Sequence, residues 1–223
     1  MELSRARPLL HHELDSPSEF TPEELVRAVR VVKGLPDAAV PPVCVLEFDG
    51  DLTDWLVSHG RATLFEPWAC FHTMMYSLEV DGLIYGIVPR TIGGPYAVLI
   101  AEQMRVSGVR TVLGLTSAGR VSTSMPIPGL VVATKAIRDE GTSRHYLPPT
   151  EIVDAPAQVA RLLESELKAL PLPVLSGAVW TTDAPYRETE KQMSDYAKAG
   201  VGLWRCKLPP CLPSLKPGSF LSA

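Results

Sequence analysis

An α/β fold, with helices and strands alternating around a substantially parallel, mixed sheet, is predicted by three observations in this 223-residue chain. Short apolar runs of strand length, at 42–48, 83–88, 111–115, 130–137 and 175–180, are separated by stretches with helical spacing of apolar residues. Several of these runs end in small or polar residues, notably Thr116-Ser117-Ala118-Gly119, Arg138-Asp139-Glu140 and Thr181-Thr182-Asp183. In an open α/β sheet, ligands bind outside the carboxyl ends of strands. Finally, hydrophobic residues make up 46% and charged residues 21%, the balance of a globular domain that can bury a core.

The elements follow in order. Residues 1–20, with Pro8, His11, His12 and Pro17, read as an irregular polar arm. Thr21 caps a helix, Pro22 suits its first position, and Glu23 and Glu24 suit its dipole. Leu25, Val26, Val29 and Val32 give it an apolar face, and Gly34 ends it. A buried strand at 42–48 leads to an Asp49-Gly50-Asp51 turn and a short helix at 52–59. Residues 71–80, including a core pair Met74-Met75, alternate loosely up to Asp81-Gly82, a hairpin signal, and 83–88 return. A glycine turn at Gly93 opens a helix over 96–106, with Val98, Leu99, Ile100 and Met104 apolar, and Gly108 stops it. The strand at 111–115 runs into the 116–119 turn, and the chain is then turn-rich to Gly129. A strand at 130–137, an amphipathic helix at 156–170, a strand at 175–180 and a helix at 188–199 complete the pattern. From Leu203 the period vanishes, and Pro209, Pro210 and Pro213 forbid a helix. The division is therefore an arm at 1–20, a domain at 21–202 and an irregular tail at 203–223.

A net charge of −4 offers no basic surplus for nucleic acid or an anionic membrane surface. Cys44, Cys70, Cys206 and Cys211 lack zinc-ligand spacing, and the acids of the Asp49-Gly50-Asp51 turn alone do not argue for a metal. The N-terminus has no apolar stretch of a secretory leader, and no apolar run reaches the roughly 18 residues of a bilayer span. A cytoplasmic location is expected.

At the 116–119 turn, small residues let a ligand approach backbone N–H groups, and Ser117 presents a hydroxyl. One reading is an anion cradle. Another is a nucleophile, since 115–119 partly echoes Gly-x-Ser-x-Gly with its first glycine missing. A serine hydrolase (carboxylesterase) acting on small esters would then use His145, or next His72, as base, with Asp139 or Asp183 orienting it. A third reading is a non-catalytic ligand binder. Asp183 could equally cap the following helix, and Arg138-Asp139-Glu140 could be an internal salt-bridge cluster.

Gly93-Gly94-Pro95, the 116–119 turn, the run 138–149 (Arg-Asp-Glu-Gly-Thr-Ser-Arg-His-Tyr-Leu-Pro-Pro) and the run 180–189 (Trp-Thr-Thr-Asp-Ala-Pro-Tyr-Arg-Glu-Thr) lie in order over residues 80–200. Together they resemble the purine nucleoside and uridine phosphorylases, the family that includes the methylthioadenosine/S-adenosylhomocysteine nucleosidases. The resemblance implies a three-layer α/β/α sandwich around a mixed sheet and cleavage of a nucleoside's N-glycosidic bond. It implies phosphate as co-substrate (water in the nucleosidases), no cofactor, and a homo-oligomer whose subunits share sites. Ser117 stands at the family's phosphate-binding Ser or Thr, with Gly93, Gly94, Thr116, Ala118 and Gly119 around it. Gly114 replaces the arginine of the uridine phosphorylases, which leaves Arg90 and His72 as candidate phosphate ligands. Pro185 replaces the stacking phenylalanine, and Tyr186 remains for the base.

The family's Val-Glu-Met-x-Ala-Ala-Ala motif is also missing; the chain reads Gly200-Val201-Gly202-Leu203-Trp204-Arg205 there. Trp204 allows only TGG, and Arg205-Cys206-Lys207 is compatible with AGA-TGC-AAG. One G restored before the Leu203 codon gives Val-Gly-Ala-Val-Glu-Met-Gln-Ala-Ala-Ala-Leu-Phe-Ala, so the tail is expected to be frameshifted.

Overall fold

The computed structural model describes residues 13–121, 126–199 and, for the backbone, 204–206. The expected mixed α/β fold is present, and among the described residues its strands fall into two five-stranded sheets. Helix α1 (Pro22–Lys33) starts on a capping box. Thr21 accepts from the Glu24 N–H, the Glu24 carboxylate accepts from the Thr21 N–H, and Gly34 ends the helix at φ 63°. Its Val26 and Val29 bury against Ala69.

The first sheet is built from β1 (Val43–Glu47), β2 (Thr63–Leu64), β3 (Tyr76–Val80), β4 (Leu83–Val88) and β5 (Thr111–Leu115), in the order β2-β3-β4-β1-β5. α2 (Asp51–Ser58) follows β1, and α3 (Gly94–Val106) precedes β5. Asp81 (φ 52°) and Gly82 (φ 76°) both turn left-handed, as a two-residue hairpin loop requires. β1 lies parallel between β4 and β5. Strands buried on both faces read as continuous apolar runs, as this one does. Leu46, Phe48, Met75, Val88, Ile100, Met104 and Val112 form the main core, with α3 packed on the sheet.

The second sheet takes β6 (Gly119–Arg120), β7 (Leu130–Asp139), β8 (Ile152–Asp154), β9 (Val174–Thr182) and β10 (Trp204–Cys206), in the order β6-β10-β9-β7-β8. β7 and β9 run parallel along their length. α4 (Ala157–Leu167) packs on both, and α5 (Glu190–Lys198) follows β9. Two 3₁₀ turns, Thr142–His145 and Pro185–Arg187, follow the ends of β7 and β9.

The structure departs from the sequence reading in detail. β7 and β9 run on to Asp139 and Thr182, because their pairing with each other holds polar residues in the ladder. Met75 is buried but Met74 is 57% exposed. The tail expected to be irregular begins with a strand: residues 204–206 pair in parallel with β9. Residues 1–12 of the arm and 207–223 of the tail lie outside the described residues. No helix among the described residues is long and apolar enough to cross a membrane.

Close packing between β4 and β1 gives one test of the core. A Cβ at Gly86 would stand 2.4 Å from Cys44 Sγ and 3.3 Å from Met75 Sδ, both in fully buried side chains. Burial pushes the Cys44 thiol up to about 12, so it keeps its proton and packs as a small apolar group. Gly86→Ala is expected to lower stability by about 1–3 kcal/mol through overpacking. Urea melts would measure it, and an unchanged midpoint would contradict the packing described.

Candidate active site

The carboxyl ends of β4, β1 and β5 lie side by side and bring Arg90, Asp49 and Ser117 to one edge of the first sheet. Asp49 Oδ2 accepts from the Ser117 N–H at 2.5 Å. Next to it, Gly50 (φ 102°) starts α2, whose first N–H groups meet the buried Glu47 carboxylate. Glu47 accepts from Leu52 N at 2.6 Å, Thr53 N at 3.0 Å and Thr53 Oγ1 at 2.5 Å. A carboxylate there satisfies orphan donors and opposes the positive end of the helix dipole. Arg90 has the left-handed φ of 60°, uncommon for a non-glycine residue. Its side chain lies over Gly50, where a Cβ would come 2.9 Å from Arg90 Cγ, and its guanidinium pairs with Asp54.

Residues 116–118 carry the chain from the first sheet into the second. Thr116 Oγ1 donates to the Ser117 carbonyl at 3.0 Å. Ser117 is exposed, and its hydroxyl has no partner among the described residues. Ala118 is a packing residue, set against the Val179 cluster of the second sheet. Gly119 opens β6. Gly93 (φ 94°) is the residue before α3, and Gly94 begins that helix buried.

The ends of β7 and β9 frame a cavity of about 390 Å³, lined by Asp139, Glu140, Trp180, Asp183, Arg187 and Gln192 among others. Trp180 donates its indole N–H to Asp139 Oδ2 at 3.0 Å, and its ring meets Tyr196 at 4.9 Å and 54°. Burial raises the pKa of Tyr196, and the negative charges of Asp139 and Glu151 raise it further. Asp183 Oδ2 accepts from the Gly141 N–H at 2.8 Å, tying the two strand ends together.

Arg138 and Glu140, which line this cavity, belong to a polar cluster. Arg138, 2% exposed, donates from Nε to Ser143 Oγ at 2.7 Å. Its Nη1 donates to Pro148 O at 2.6 Å, Thr150 O at 3.1 Å and Thr150 Oγ1 at 2.9 Å. Ser143 Oγ in turn donates to the buried Glu140 carboxylate, which also accepts from the Ser143 N–H at 2.8 Å. A guanidinium and a carboxylate are thus bridged by one hydroxyl, which holds the loop after β7.

The candidate residues therefore divide between two sheet edges. Arg90, Gly93, Thr116 and Ser117 belong to the first; Asp183 belongs to the cavity, which Ser117 does not line. Asp183 does not cap α5: Thr189 does, through a capping box with Gln192. His145 is exposed on its 3₁₀ turn, and His72 is exposed with its carbonyl accepting from Tyr96 Oη at 3.2 Å. Neither reaches the Ser117 hydroxyl. An acyl-transfer nucleophile needs a base within about 2.6–3.2 Å, so the hydrolase reading finds no support in this geometry. Tyr186 is 99% exposed and lies outside the cavity. The sequence reading missed Asp49 as the partner of Ser117, Ser143 as the bridge between Arg138 and Glu140, and Tyr196 against Trp180. Their one shared signal was position, just past a strand end or on the last helix.

A model described as the phosphorylase superfamily matches residues 42–203. The chain is similar to a guanosine phosphorylase of Halorubrum lacusprofundi, 28% identical over 125 residues that cover 54% of this chain and 50% of the relative. It is similar to a uridine phosphorylase of Thermococcus kodakarensis, 27% identical over 115 residues, 52% of this chain and 40% of the relative. The chain thus spans half or less of the length of these curated relatives. Among solved structures, the uridine phosphorylase of Vibrio fischeri superposes with a TM-score of 0.72 at 19% identity, covering 84% of this chain and 79% of that one. The purine nucleoside phosphorylase of Toxoplasma gondii, in complex with immucillin-H, gives 0.65 at 18%, covering 77% and 69%. At such identities the likeness is one of fold.

Proposed function

The chain belongs to the phosphorylase superfamily, and on that premise we propose that its β7–β9 cavity takes a nucleoside and that the enzyme cleaves the N-glycosidic bond. The observation that carries this reading is the cavity itself. About 390 Å³ is lined by Trp180 and by Asp139, Glu140 and Asp183. Sugar hydroxyls are donors that carboxylates accept, and a departing base gathers negative charge that a nearby acid can relieve. Asp183 is held in place by the Gly141 N–H and is the proposed proton donor. The exposed Ser117 hydroxyl at the neighbouring sheet edge is proposed to face the nucleophile. Arg90, His72 and His145 stand as further polar contacts. Tyr186, wholly in solvent within one chain, is proposed to serve a site completed by a second copy.

The test is base release from inosine, uridine and methylthioadenosine, followed by chromatography, together with calorimetric binding of each. Base release above the buffer control is expected for at least one. Neither binding nor release with any of the three would overturn the reading. The tail is proposed to be out of frame from the Leu203 codon, and gene sequence there incompatible with the restored motif would end that idea.

A further inference from the structure

Three anion-binding devices at the edge formed by β4, β1 and β5 already hold a carboxylate of the chain itself. The Ser117 N–H donates to Asp49 at 2.5 Å. The first N–H groups of α2 donate to Glu47. The Arg90 guanidinium pairs with Asp54. These donors come from three separate elements, yet all are neutralised locally. A phosphate seated on the Ser117 N–H would have to take the position of the Asp49 carboxylate or lie against it, like charge against like.

We propose that Asp49 determines co-substrate specificity: it keeps inorganic phosphate out of the cradle, and water takes the nucleophile's place. The proposal rests on the nucleoside reading above. In the step, the water oxygen bonds to the anomeric carbon, and the electron pair of the breaking C–N bond goes to the base. The proton lost by water balances the one the base nitrogen gains. The products are free ribose and free base, with no redox change. A phosphate nucleophile would leave ribose 1-phosphate instead.

The experiment compares the full chain with Asp49→Ala and Asp49→Asn. The asparagine keeps an acceptor for the Ser117 N–H and removes only the charge, so it serves if the alanine variant folds poorly. Phosphate binding is followed by calorimetry, and products, with and without saturating phosphate, by proton NMR for free ribose and phosphorus NMR for ribose 1-phosphate. The wild-type chain is expected to give free ribose at a rate phosphate does not change. Phosphate affinity is expected to rise at least about tenfold in both variants. Ribose 1-phosphate from the wild type, or phosphate affinity unchanged in both variants, overturns the proposal. If no nucleoside is bound or cleaved by any form, the nucleoside reading falls, while the phosphate titration still decides what Asp49 does.

Discussion

Arg138→Ala is expected to lower the unfolding free energy by about 3–5 kcal/mol, because it leaves the buried Glu140 carboxylate uncompensated and strips the acceptors the guanidinium serves. For a domain of this size that corresponds to a fall of roughly 10 °C in Tm. The guanidinium is 2% exposed and serves Ser143, Pro148 and Thr150 at once. Its removal strands their acceptors and leaves the Glu140 carboxylate, 6% exposed, without the charge across from it. Replacing both charged partners with apolar side chains removes the uncompensated charge, so the double variant Arg138→Met with Glu140→Met should recover part of the loss. Thermal and urea melts measure both. A loss below about 1 kcal/mol for Arg138→Ala would mean that the cluster is not the tie that holds the loop after β7.

Asp183→Ala is expected to cut base release by about 10²–10⁴-fold, the usual worth of a positioned acid or base. Because the side chain is exposed and makes one hydrogen bond to Gly141 N, stability should fall by only about 1 kcal/mol. Asp183→Asn separates the two roles of this residue. It keeps an acceptor for the Gly141 N–H and cannot transfer a proton. Wild-type turnover in the asparagine variant would reduce Asp183 to a structural tie between β7 and β9.

Much of the fold could be read locally. The strands at 83–88 and 111–115 were legible because turn glycines bound them, and α1 because Thr21 and Glu24 stand at capping-box spacing. β2, β6, β8 and β10 were not legible. Each is a strand of two or three residues, too short to show a period, and exists because a partner elsewhere in the chain supplies the ladder. The same reasoning applies to the site. Parallel strand ends predicted where Ser117 and Asp183 would stand. What they bond to depended on pairs 68 and 42 residues apart, Ser117 with Asp49 and Gly141 with Asp183. Nor does a local pattern show that Arg138, a charged residue at the end of an apolar run, is buried. The parallel ladder to Thr181 puts it there.

The two sheets do not interleave in sequence: the first uses strands from residues 43 to 115, and the second from 119 to 206. A chain made on the ribosome from its N-terminus therefore has every part of the first edge in hand, Asp49 and Ser117 included, before β7 or β9 has been synthesised. Biosynthesis therefore completes the edge that carries Asp49 and Ser117 first, and the β7–β9 cavity last. A chain halted after residue 119 would carry the Ser117–Asp49 contact without the cavity framed by β7 and β9.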